Sequence, residues 1–139
     1  MKHLLLTTCA VALFATPSFA EPTCVAIGDI GTLSGDIGNG IVNNLSLSAG
    51  DLYGQESVPT AILSYSVANR NSGPVYVSVD VIFLDSDDFL IAAVSAVSSS
   101  AIRPGMTEAL SGRTILSKPD FDRIDEVCVH IAGIADAGD

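Results

Sequence analysis

Ten residues near the middle of the chain constrain its fold more than any other feature. Val75, Val77, Val79, Val81 and Phe83 alternate with Tyr76, Ser78, Asp80, Ile82 and Leu84. A helix turns 100° per residue and would scatter that pattern round its circumference. An extended strand places alternate side chains on opposite faces, so the pattern reads as a strand with one face in a core. Leu63, Tyr65 and Val67 repeat the pattern before it, alternating with Ser64, Ser66 and Ala68. Asn69-Arg70-Asn71-Ser72-Gly73-Pro74 separates the two runs. Its residue types supply positive φ and end pairing, so the two strands form a hairpin or connect facing sheets.

The rest of the chain continues in the same grammar. Asp85-Ser86-Asp87-Asp88 is a polar turn, and Phe89 to Val97 resumes as a strand, favoured over a helix by its length and β-branched residues. Arg103-Pro104-Gly105 marks a turn before a strand from Met106 to Leu116, weakened by Gly112. Lys118-Pro119-Asp120 breaks that run. A short turn or helical piece around Phe121 and Ile124 leads to a last strand through Val127, Val129 and Ile131, with a frayed tail at 135–139. Upstream, Val25 and Ile27 suggest a first strand and Ile41 to Leu47 a second. A Gly/Asp-rich loop, or a hairpin with a long tip, lies around 28–40, and Ala49 to Pro59 reads as loop. Six or seven short strands with turns every ten or so residues specify an all-β, immunoglobulin-like antiparallel sandwich in a single domain over residues 21–139.

The first twenty residues are read as a cleaved signal peptide. Lys2 is the positive start, Leu4 to Ala15 the apolar run, Pro17 its break, and Ser18-Phe19-Ala20 places small residues where signal peptidase requires them. The run is shorter than the roughly 20 apolar residues of a membrane anchor. Cleavage leaves five basic residues against sixteen acidic ones, a net charge of −11. That balance argues against nucleic acid and anionic membrane surfaces as partners, since both need clustered cations.

Cleavage also removes Cys9 and leaves Cys24 and Cys128 near opposite ends. Two cysteines in an exported chain read as one bridge, closing a loop of about 100 residues worth at most on the order of 4–5 kcal/mol. Parity places the bridge. Val25 and Ile27 share one strand face and leave Cys24 on the other, while Val127, Val129 and Ile131 do the same to Cys128. With both apolar sets in the core, the first and last strands become neighbours stapled across the outer side of the sheet.

The stretch Leu63 to Gly73, the strand Val75 to Asp85 and the turn Ile102-Arg103-Pro104-Gly105 together resemble the bacterial FxLYD-type family of immunoglobulin-like domains. The resemblance covers residues 63–116. It implies a sandwich fold and an extracytoplasmic setting, and it carries over no active residues.

No catalytic or cofactor motif stands out. Asp85, Asp87 and Asp88 are the densest acidic cluster and the weak candidate for a calcium site, although they lack the glycine and distal glutamate of an EF-hand loop. Asp29, Asp36 and Asn39 lack the nonapeptide period of glycine-aspartate calcium repeats. His130 is the one histidine past residue 20, and no G-x-S-x-G elbow accompanies it. Asp122, Asp125 and Glu126 lie among Lys118 and Arg123, as a solvated charged turn would. Tyr53, Tyr65 and Tyr76 are the only tyrosines and tryptophan is absent, so no stacking platform for glycans or bases emerges. The expectation is therefore a non-enzymatic periplasmic or secreted module without cofactor, from a Gram-negative-type bacterium, that binds a protein partner. The Ala- and Ser-rich stretch from Ala92 to Ala101 lacks the charges that block edge pairing, making Ala92, Val94, Ala96 and Val97 its weak candidate edge. The alternative is a calcium-binding domain using the turn from Asp85 to Asp88.

Overall fold

The computed structural model describes residues 21–52 and 58–135. The expected signal peptide therefore lies outside the described residues, as do positions 136–139 of the expected tail. Within them are eight strands: β1 (Thr23–Ala26), β2 (Gly35–Ile37), β3 (Gly40–Leu52), β4 (Val58–Ala68), β5 (Val75–Leu84), β6 (Leu90–Val97), β7 (Thr107–Ile115) and β8 (Glu126–Ala135). They form two antiparallel four-stranded sheets, ordered β1-β8-β5-β6 and β2-β3-β4-β7. The two sheets pack as a sandwich around one core.

The alternation in β5 is the axis of that core. Val75, Val77, Val79, Val81 and Phe83 are all buried, Val79 and Phe83 completely. Full burial of each such side chain contributes roughly 1.5–3 kcal/mol before entropy is charged. Leu63, Tyr65 and Val67 of β4 are buried in the same core, with Val127 and Val129 of β8 and Val94 and Ala96 of β6. Ile102, Leu116 and Ile124, from the connections, are buried with them.

Connectivity interlocks the sheets. β5 and β6 are a hairpin, but β4 leads across to β5 in the facing sheet. The chain then returns from β6 to lay β7 beside β4, and crosses again to lay β8 beside β5. The segment 69–74 is thus the inter-sheet connection rather than a hairpin. A four-residue helix α1 (Lys118–Phe121), capped at its start by the Ser117 hydroxyl, carries the last crossing.

The first third departs most from the sequence reading. Ile27–Thr32 is a 3-10 helix, and β2 and β3 make a tight hairpin through Gly38 and Asn39. Gly38 stands at φ +72, and a Cβ there would come within 2.5 Å of the Asn71 Oδ1. The strand count rises to eight because the Gly/Asp-rich segment contributes β2, only three residues long, while Ile27, read with the first strand, belongs to the 3-10 helix. β3 and β4 also extend through Ala49–Leu52 and Val58–Pro59, which the sequence reads as loop. Ala135, expected to fray, pairs with Val75.

A one-residue bulge explains the pattern of β3. Its register against β4 shifts between Asn43 and Ser46, with Asn44 at φ 54. The extra residue exchanges the faces, so Val42 is buried before it and Leu45 after it.

Asn69 ties one end of the sandwich together. It is 0% exposed. Its side-chain amide donates to the carbonyls of Ile102 (2.8 Å) and Gly73 (3.0 Å), and its Oδ1 accepts from the Asn71 backbone N–H at 2.9 Å. Its backbone N–H donates to Met106 and its carbonyl accepts from Gly105. Asn71 in turn donates to Ile37 and accepts from the Asn39 N–H. Three connections are thereby held by one buried amide and its neighbour.

The bridge lies where parity places it. β1 and β8 are antiparallel neighbours with Cys24 directly opposite Cys128, Cα to Cα 3.9 Å. Val127 and Val129 point into the core, which leaves both sulfurs on the outer side of the sheet.

Candidate functional site

The outer face of the β1-β8-β5-β6 sheet is built from the residues that alternate with the core set. Register lines them up in rows across β8 and β5: Ile134 opposite Tyr76, Ala132 opposite Ser78, His130 opposite Asp80, Cys128 opposite Ile82 and Glu126 opposite Leu84. β6 extends four rows, adding Val97 beside Ser78, Ser95 beside Asp80, Ala93 beside Ile82 and, past a bulge, Leu90 beside Leu84. An outer face of an antiparallel sheet is ordinarily the polar one. Here Tyr76, Ile82, Val97 and Ile134 are all exposed, Val97 at 60% and Ile134 at 69%. Leu90, at the β5–β6 turn, is exposed as well, as is the adjoining Phe89.

The middle row is the polar exception. Both oxygens of Asp80 are engaged: Ser95 Oγ donates to Oδ1 and Ser78 Oγ to Oδ2 at 3.2 Å. His130 Nδ1 stands 3.8 Å from the same Oδ2. Serine, aspartate and histidine thus share a row, but the carboxylate lies between the other two. A nucleophilic relay needs the imidazole between hydroxyl and carboxylate, so this order does not activate Ser95. No family model, curated protein or solved structure matches the chain.

The acidic turn is built for its own geometry. Asp85 Oδ1 accepts from the backbone N–H of Asp87 and of Phe89, both at 3.0 Å, and Oδ2 accepts from Arg123 at 2.8 Å. The Phe89 hydrogen bond, then that from Asp87, with Arg123 adding to them, hold the Asp85 carboxyl below its ordinary value. Asp88 takes the left-handed conformation, φ 61, that closes the turn. Both Asp85 oxygens thus accept hydrogen bonds from backbone amides and a guanidinium, while Asp87 and Asp88 are exposed. Among the described residues one group of three side chains is close enough to hold a metal ion, namely Cys24, Glu126 and Cys128. Two of those three are the disulfide sulfurs, which are not thiolate ligands.

β6 is an edge strand of its sheet, as the partner-edge reading requires. Its residues divide differently from that reading. Val94 and Ala96 are buried, Ala96 at 2%, Ala92 is half-buried, and only Val97 is open. Tyr65 Oη donates to the Ala96 carbonyl at 2.8 Å. On the free side, Gly112 of β7 lies so near that a Cβ there would be 2.7 Å from the Ser95 carbonyl. The two edge strands seal against each other, and Ala96→Lys would bury an ammonium rather than probe an edge.

One further concavity, a cleft of about 420 Å³ between Ile37, Asn71, Val75 and Gly133, carries no ionisable group. Sequence reasoning did not find the outer face, because its rows join β5 to a strand some fifty residues away. The exposed partners of the alternation were its available signal.

Proposed function

We propose that the protein is a non-enzymatic protein-binding module of the bacterial periplasm or secreted fraction, and that the outer face of the β1-β8-β5-β6 sheet is its binding surface. One observation carries this reading: Tyr76, Ile82, Val97 and Ile134 stand exposed on that single face, aligned by register into one surface. Large apolar side chains exposed together on one face, here on both sides of a polar middle row, mark an interaction site. The disulfide between Cys24 and Cys128 supports an oxidising compartment, and no described helix is long and apolar enough to cross a membrane.

The test is a crosslinking capture from the native envelope, read by mass spectrometry. It compares the wild type with Ile82→Lys plus Val97→Lys and with Ser64→Lys on the opposite sheet. A partner held by wild type and Ser64→Lys but lost from the double variant supports the reading. Equal capture by all three refutes it.

A further inference from the structure

We propose that the occupant of this outer face is a second copy of the same chain, packed face to face about a two-fold axis. The inference rests on reading the face as a protein-binding surface, and its geometry follows from the register of β5 and β8.

An isologous interface must be complementary to itself. Consider a two-fold axis parallel to the strands and midway between β5 and β8. It lays β8 of one copy over β5 of the other without displacing the rows along the strands. His130 then meets the partner's Asp80, and Asp80 meets the partner's His130. In the rows to either side, Tyr76 meets the partner's Ile134 and Ser78 meets the partner's Ala132, by the pairings already fixed within one sheet. Moving the axis onto β5 would set Asp80 against the partner's Asp80, and running it along the middle row would do the same. Charge therefore favours the axis between β5 and β8 over these two. Packed sheets cross at roughly −30°, which spreads their corners and keeps the centre closest. The centre is where the His130–Asp80 row lies.

Both groups are available for this. Asp80 keeps 47% of its side chain exposed and His130 32%. Among the described residues the paired positions of the face carry two carboxylates, Asp80 and Glu126. The other described acids lie off the rows that two like-charged copies would bring together. The area sets the strength. β1, β8, β5 and β6 hold four, ten, ten and eight residues, so at about 3.3 Å per residue and about 4.8 Å between strands the face spans roughly 500 Å². Two such faces bury about 1,000 Å², the size of a weak, reversible association. The expected complex is thus a reversible dimer with a dissociation constant on the order of micromolar, tightened by salt as it screens the net repulsion.

Sedimentation equilibrium of the oxidised protein, purified from the exported fraction, tests this at two salt concentrations. The expected result is a monomer–dimer equilibrium that Ser64→Lys leaves unchanged. His130→Asp should weaken it at least about tenfold by placing like charges across the axis, and the exchange Asp80→His with His130→Asp should restore most of that loss. Tyr76→Lys, which leaves the polar row intact, should weaken it as well, and a thermal melt of each variant confirms folding. A monomer at every concentration up to about 1 mM overturns the proposal. So does a dimer that Ser64→Lys abolishes, or one indifferent to His130→Asp and Tyr76→Lys. If the protein is monomeric yet captures a different partner through this face, the self-association fails and the protein-binding reading stands. If it is monomeric and captures nothing, both fail.

Discussion

The outer faces of the two sheets obey the same alternation and end up chemically unlike. On the β1-β8-β5-β6 sheet the outward residues include Tyr76, Ile82, Val97 and Ile134, all exposed. On the β2-β3-β4-β7 sheet, register brings Ser46, Ser64 and Ser111 into one row and Asn43, Ser66 and Ala109 into the next. Both faces satisfy the requirement of burying one side of a strand. The second has short, weakly interacting side chains at its centre only: the same alternation continues to Ile62 and to Ile115, which is 69% exposed. An outward residue contributes little to the fold, so its identity is free to serve something else. The two faces have used that freedom differently in their central rows.

The largest effect expected of any change falls on the first face. It carries the disulfide, and the strand it holds, β1, has only Val25 half-buried with its other residues exposed. Little else fastens β1 to the domain. Replacing both Cys24 and Cys128 by Ser should lower stability by up to on the order of 4–5 kcal/mol in a urea titration, chiefly by freeing the unfolded chain. β8 pairs with β5 along its whole length, so the face itself should survive in the folded fraction. A loss below about 1 kcal/mol would mean that the unfolded chain is already compact and that β1 matters little. Loss of binding by protein that remains folded would show that the face depends on β1, and the comparison of two autonomous sheets would break.

This contrast also marks what was legible beforehand. β5 could be read because five buried residues at period two have no other solution. The bridge could be placed because parity in Val25 and Ile27 and in Val127, Val129 and Ile131 left each cysteine on the outer side, although Ile27 belongs to the 3-10 helix that follows β1. The extension of β3 and β4 could not be read, because Ser, Ala and Gly on a plain solvent face look like loop composition. Asn44 concealed the rest of β3, since one bulged residue moves the buried set from even to odd positions. The Asp80, His130 and Ser95 row was invisible for another reason. It exists only once β8 and β6 are known to flank β5, and no local period encodes which strands are neighbours. Asn69 was recognisable as the end of a strand, but its six hydrogen bonds reach residues more than thirty positions away as well as its own turn.

The next effect concerns the edges, which decide whether faces or strand edges are available to partners. Gly112 of β7 approaches β6 so closely that a Cβ would lie 2.7 Å from both the Ser95 carbonyl and the Ala96 Cβ. Gly112→Val should therefore cost about 1–3 kcal/mol as an overpacked contact. Gly73→Ala, where nothing lies within 4 Å, should stay within about 0.5 kcal/mol of wild type. If Gly112→Val melts like wild type, β6 and β7 are parted in solution and a free strand edge competes with the face as the binding surface.

Tyr65 joins the two sheets through its hydrogen bond to Ala96. Burial, and then the charge of Asp80, push its phenol from 10.0 up to about 12. The folded state thus holds the phenolic proton more tightly than the unfolded chain does. The stability this contributes is complete below pH 10 and is lost as pH climbs through about 12. Tyr65→Phe should cost about 0.5–1.5 kcal/mol at neutral pH and remove that part of the alkaline slope. An unchanged alkaline slope in Tyr65→Phe would mean that the phenol is not shielded between the sheets.

The smallest effects on stability are the sharpest test of the two faces. Ile82→Ser and Val97→Ser remove exposed apolar groups, and Ser64→Val and Ser111→Val add apolar groups to the plain face. Neither pair changes the core, so each substitution should move the unfolding midpoint by no more than about 0.5 kcal/mol. Association should respond in the opposite way to stability: the first pair should lose partner or self-binding, and the second should leave it intact. A destabilisation above about 1 kcal/mol from Ile82→Ser would mean that Ile82 is packed within the monomer, and the first face would be part of the structure rather than a surface held ready. Equal, negligible effects on both stability and association would make the two faces equivalent, and the apolar residues on the first would then need no partner to explain them.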